Sequence, residues 1–131
     1  MPAVDVLLVS PDAQSRELMA LAVRSIERRI GEELRFRAAR NGDIGLKAAM
    51  RDRPDIIVMD EIASRAGAFS MTKTLRDDAD PYTGTILILL ERKHDAWLAA
   101  WSGADAWFVK PFDPFEVADR LMELVDDKER V

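Results

Sequence analysis

The sequence predicts a doubly wound α/β domain, a five-stranded parallel sheet with five helices, on three observations. Four short apolar runs are continuous rather than alternating, the pattern of strands covered on both faces. Segments with apolar residues at helical spacing fill the gaps between them. At 131 residues the chain fits one domain with enough length to bury a core.

The first strand is Val6-Leu7-Leu8-Val9. Leu18, Leu21, Ala22, Ser25 and Ile26 then form one helical stripe, which Gly31 can end. Leu34-Arg35-Phe36-Arg37-Ala38 alternates, as an edge strand does. A second helix carries Ile44, Leu46, Ala48, Ala49 and Met50, and closes before Pro54, because the residue ahead of a proline avoids the helical region. Ile56-Ile57-Val58-Met59 is the third strand, and residues 67–77 a third helix ahead of the breaker Asp80-Pro81. Ile86–Leu90 is the fourth strand, residues 95–102 the fourth helix, and Trp107-Phe108-Val109 the last strand. Asp113-Pro114 opens a fifth helix as N-cap and first-turn proline, with Val117, Leu121, Leu124 and Val125 on one side. The domain is expected over 1–126, with 127–131 a charged tail. Strict β-α alternation implies right-handed crossovers and helices on both faces.

Composition excludes several function classes. Without cysteine there is no disulfide scaffold, thiol nucleophile or Cys-ligated zinc. No apolar run is long enough for a membrane span, and the first residues lack a secretory pattern, so the cytoplasm is the expected compartment. A formal net charge of −5 disfavours nucleic acid or an anionic membrane as partner. The local basic stretch Arg24, Arg28, Arg29, Arg35, Arg37 and Arg40 reads as a solvated helix face and strand edge rather than a phosphate patch. The one histidine, His94, sits in a charged loop without a nucleophile or metal spacing around it, and no glycine-rich phosphate loop is present, so an enzyme is not expected.

In such sheets the reactive groups gather at the carboxyl ends of the strands. Those ends carry Ser10-Pro11-Asp12, Asp60-Glu61, Leu90-Glu91 and Lys110-Pro111-Phe112. Asp60 beside the Lys110 ammonium would be an oriented, ionised nucleophile toward a phosphoryl group, with Lys110 pairing the phosphoryl oxygens. A structural ion pair, or two solvated loop charges, is the alternative at this point.

Gly103-Ala104-Asp105-Ala106-Trp107-Phe108-Val109-Lys110-Pro111-Phe112 resembles the fifth-strand signature of response-regulator receivers, G-A-D-x-Y-x-x-K-P-F. Pro54-Asp55-Ile56-Ile57-Val58-Met59-Asp60 resembles that family's P-D-x-x-x-x-D, and Arg40-Asn41-Gly42 its turn before the second helix. The resemblance implies the flavodoxin-like receiver fold with strand order 2-1-3-4-5, Asp60 as phosphoacceptor, Lys110 as phosphoryl-sensing lysine and Trp107 as switch aromatic. It also implies a bound Mg²⁺, a place in a two-component phosphorelay, and a histidine kinase or downstream signalling protein as partner. Docking, or a homodimer, through helix 4, strand 5 and helix 5 is implied as well.

Three departures matter. Receivers place two acidic residues after the first strand to hold Mg²⁺; here Ser10-Pro11 stand there, with Asp12 one place later. Asp12 either reaches inward as a ligand with Asp60 or caps the first helix. Leu90 stands where receivers carry the Thr or Ser that bonds the phosphoryl oxygen. The loop Glu61-Ile62-Ala63-Ser64-Arg65-Ala66-Gly67 lacks the family's Met-Pro pair, so Glu61 or Arg65 can intrude on the site. The expectation is an atypical receiver, or pseudo-receiver, with phosphorylation of Asp60 weak or absent and signalling by contact. The alternative is a working phosphoacceptor with unusual Mg²⁺ ligation by Asp12 and Asp60.

Ala96-Trp97-Leu98-Ala99-Ala100-Trp101 is apolar in every direction around a helix. Trp97 and Trp101 share a face, which either packs on the sheet or forms an exposed patch that docks a partner or second copy.

Overall fold

The computed structural model describes residues 4–31, 33–62 and 67–129. Along the chain come β1 (Val4–Val9), α1 (Ala13–Ile30), β2 (Leu34–Ala39), α2 (Gly42–Asp52), β3 (Ile56–Asp60), α3 (Gly67–Asp77), β4 (Thr85–Leu90), α4 (Ala96–Ser102), β5 (Ala106–Val109) and α5 (Pro114–Glu129). The strands form one sheet in the order β2-β1-β3-β4-β5, and every neighbouring pair is parallel. This is the doubly wound receiver arrangement.

Alternation along the central strands sends side chains into two separate cores. Val6, Leu8, Ile56, Val58, Leu87 and Leu89 meet Met19, Val23 and Ile26 of α1 and Val117, Ala118 and Leu121 of α5. Leu7, Val9, Ile57, Met59, Ile86, Ile88 and Leu90 meet Ala49 of α2, Ala68, Met71 and Leu75 of α3 and Ala99 of α4. Two-sided burial explains why β1, β3 and β4 are continuous apolar runs, each buried large side chain contributing roughly 1.5–3 kcal/mol.

The caps explain the boundaries. Asp12 accepts from the Ser15 backbone N–H to start α1, and Gly31, at φ +68°, ends it in the left-handed region. Asn41 caps α2 through Ile44. Two boundaries differ from expectation. The helix expected over 95–102 begins at Ala96, because a 3₁₀ turn takes Lys93–Asp95. The helix α5 continues to Glu129 through most of the expected tail, since Glu and Lys are good helix formers that need no apolar partner.

Candidate functional site

The parallel register brings the carboxyl ends of β1, β3, β4 and β5 side by side. Ser10 prolongs β1, its N–H bonding Ala39 O at 3.0 Å, and Lys110 N donates to Leu90 O at 2.8 Å beyond β5. Asp60 ends β3 fully buried.

Both Asp60 oxygens are engaged. Oδ2 accepts from the buried Ser10 hydroxyl at 2.9 Å. Oδ1 accepts from Lys110 Nζ at 2.6 Å and from Ile62 N at 3.3 Å. The Lys110 ammonium also donates to Glu91 Oε1 at 2.7 Å, so one lysine spans two carboxylates. Burial alone would pull this ammonium down, but hydrogen bonds and charge from Asp60 and Glu91 outweigh it and raise its pKa.

Asp12 commits Oδ2 to the cap, accepting from Ser15 N at 3.1 Å and Ser15 Oγ at 2.9 Å. These two bonds lower its pKa. Leu90 is fully buried among Leu7, Val9, Met59 and Ala99, so β4 ends in a hydrocarbon anchor with no hydroxyl. Glu61 does not enter the Asp60 pocket. Its Oε2 accepts from Glu91 N. Its carboxyl is pushed up, first by burial and then by the neighbouring Asp95. Arg65 lies outside the described residues.

A Mg²⁺ ion needs near-octahedral oxygen ligands at about 2.0–2.1 Å. Around Asp60 the side chains offer a hydroxyl already donating into the carboxylate, a proline ring, and an Asp12 oxygen spent on a helix cap. Among the described residues, no group of three or more His, Asp or Glu side chains is placed to hold a metal. With both Asp60 oxygens already hydrogen-bonded and Asp12 Oδ2 on the helix cap, the side chains make a poor donor set for the ion.

Sequence reasoning placed Asp60 and Lys110 at one end of the sheet, and the structure brings them into contact. It missed two partners. In the sequence Ser10 stands out as a lost metal ligand, yet a serine beside a buried carboxylate is also a hydrogen-bond donor. Glu91 simply follows Leu90 there; the adjacency of β4 and β5 is the signal that it faces Lys110.

On α4, Ala99 and Ser102 pack inward while Trp97 and Trp101 stay 66% and 56% exposed. Trp107 and Val109 of β5 are also exposed, as is Phe115 at the start of α5. Lys73 Nζ lies 5.2 Å from the centre of the Trp101 ring, a cation–π distance. The sharper of the two expectations for the tryptophans, an exposed aromatic face, is the one realised. The arginines of the basic stretch are largely spent on neighbours: Arg35 pairs Asp5, Arg37 pairs Asp52, Arg29 pairs Asp119 and Arg24 lies over Phe36.

Comparison with known proteins agrees with the geometry. No family model matches the chain. An uncharacterised response regulatory protein of Mycobacterium tuberculosis is 27% identical over 126 residues, spanning 94% of this chain and 92% of that one. The structure of a putative response regulator of Chloroflexus aurantiacus superposes with a TM-score of 0.83 at 21% identity, covering 95% of this chain and 99% of that one. The receiver domain of a sensor histidine kinase of Pseudomonas aeruginosa, solved with magnesium in its active-site cleft, gives 0.77 at 21% identity over 93% and 97% of the two chains. The strand order and these structural likenesses establish the receiver fold, and in sequence the chain is similar, at low identity, to a response regulatory protein.

Proposed function

We propose that this domain signals mainly through protein contacts, with phosphorylation at Asp60 weak or absent. The observation that carries the proposal is the hydrogen bond from the buried Ser10 hydroxyl into Asp60 Oδ2, where a metal-binding carboxylate would be needed. Without a firmly held divalent cation, the main electrostatic stabilisation of phosphoryl transfer is missing. Lys110 balances the Asp60 charge and holds the carboxylate in place. The exposed tryptophans of α4, and separately the exposed Trp107 of β5, support contact signalling, with a histidine kinase or downstream protein, or a second copy, as the partner class.

A second reading is a working phosphoacceptor with unusual Mg²⁺ ligation. The 2.6 Å contact between Lys110 Nζ and Asp60 Oδ1 favours it, because that is the pairing a phosphorylated receiver exploits. Incubation with acetyl phosphate and Mg²⁺, followed by intact-mass measurement, separates the two. The expected result is slow, substoichiometric modification; rapid stoichiometric modification that Asp60→Asn abolishes selects the second reading.

A further inference from the structure

We propose that Glu91 is a built-in oxyanion of this pocket, its carboxylate occupying the face of Lys110 that an external oxyanion would have to use. The inference rests on reading Asp60 and Lys110 as a receiver pocket, and it goes beyond the metal question. It names the group that closes the pocket to phosphoryl-like anions.

The Lys110 ammonium has three N–H bonds, and two of them already reach carboxylates, at 2.6 Å to Asp60 and 2.7 Å to Glu91. Two negative charges therefore face one positive charge, so a third anion meets net repulsion rather than attraction. Packing does not force the Glu91 side chain into this position. It is 41% exposed, and what holds it is the ion pair together with the bond from its own N–H to Glu61. Next door, Leu90 supplies no hydroxyl that could receive a competing oxyanion, being fully buried. An approach exists all the same. A groove of about 330 Å³, lined by Asp12, Ser15, Leu18, Glu91, Lys110 and Phe112, borders the ammonium. Access is thus provided by shape and denied by charge.

Beryllium fluoride in saturating Mg²⁺ is the probe, and bound fluoride counted by ¹⁹F NMR is the readout. It is applied to the full chain, to Glu91→Ala and to Glu91→Gln. Thermal melts verify that the variants fold, as expected for a half-exposed side chain. Both variants should bind the probe about tenfold more tightly than the wild type, the scale of one charge-assisted hydrogen bond. The gain should vanish when Lys110→Ala is added. Equal affinity of wild type and variants overturns the inference whatever the absolute level. Tight, stoichiometric binding by the wild type, with still tighter binding by Glu91→Ala, overturns the metal-poor reading above and leaves this one standing.

Discussion

At Ser10 and Asp60 a hydroxyl and a carboxylate share a hydrogen bond with no solvent access to either side chain. Ser10→Ala leaves a buried carboxylate oxygen short of a donor and should cost about 1–3 kcal/mol in urea unfolding. Ser10→Asp is the informative counterpart. It sets two carboxylates together, so the variant should melt below the wild type in chelator and recover on addition of Mg²⁺. An equal Mg²⁺ response in the wild type would contradict the poor donor set described above. Glu61 makes a pH prediction. Its carboxyl is raised above the ordinary 4.5 by burial and then by Asp95, so the folded state keeps this proton longer than the unfolded chain does. The stability that proton contributes is complete below about 4.5 and is lost as pH rises through the raised pKa. Glu61→Gln stays neutral throughout, so its melting temperature should gain on the wild type as pH rises from 4.5 through the raised pKa. A constant difference across that range would refute the assignment.

Among the elements, α3, α4 and β5 are tied by one side chain. Arg76 donates to Gly103 O at 2.9 Å, to Tyr82 O at 2.7 Å, to Gly84 O at 2.9 Å and to Asp105 Oδ2 at 2.9 Å, and it stacks over the Tyr82 ring. Gly103 sits at φ +99°, and a Cβ there would come within 2.7 Å of Arg76 Cγ, so the contact depends on glycine twice over. Arg76→Met keeps the length but loses every bond, and should cost about 2–4 kcal/mol by chemical denaturation. Arg76 was invisible in the sequence because its partners lie in two separate loop segments, 82–84 and 103–105. The strands were legible for the opposite reason. Ile56–Met59 and Ile86–Leu90 declare two-sided burial within a few consecutive residues, and Asp12, Gly31 and Asp113-Pro114 carry their cap signals locally. Local rules could not decide between Asp12 as ligand and Asp12 as cap. That required knowing where Ser15 and Asp60 stand relative to each other.

Across the whole molecule, most large apolar residues divide between two cores, and the exposed aromatics stand apart from both, as do single residues such as Ile44 and Ile62. Trp97, Trp101, Trp107 and Phe115 remain outside both. Because neither core uses Trp97 or Trp101, changing both to Glu should leave the melting temperature nearly unchanged and abolish any association. Sedimentation at rising concentration, and capture of a purified partner kinase or regulator, would read this out. A large loss of stability would show that the rings serve the fold instead. The sequence could place both tryptophans on one face but not decide which way it turned, because alanine and tryptophan are both acceptable against a sheet. The small Ala99 and Ser102 took the inner positions. The helix that carries the rings has seven residues, no side-chain cap at its start, and its far end gripped where Arg76 meets Gly103. Its near end is held as well, by Ala96 packed against the core, and Ala99 is fully buried between the two anchors. The two rings are thus carried on a seated platform, one helical turn and about 6 Å apart along the axis, and a docking surface would have to match that spacing.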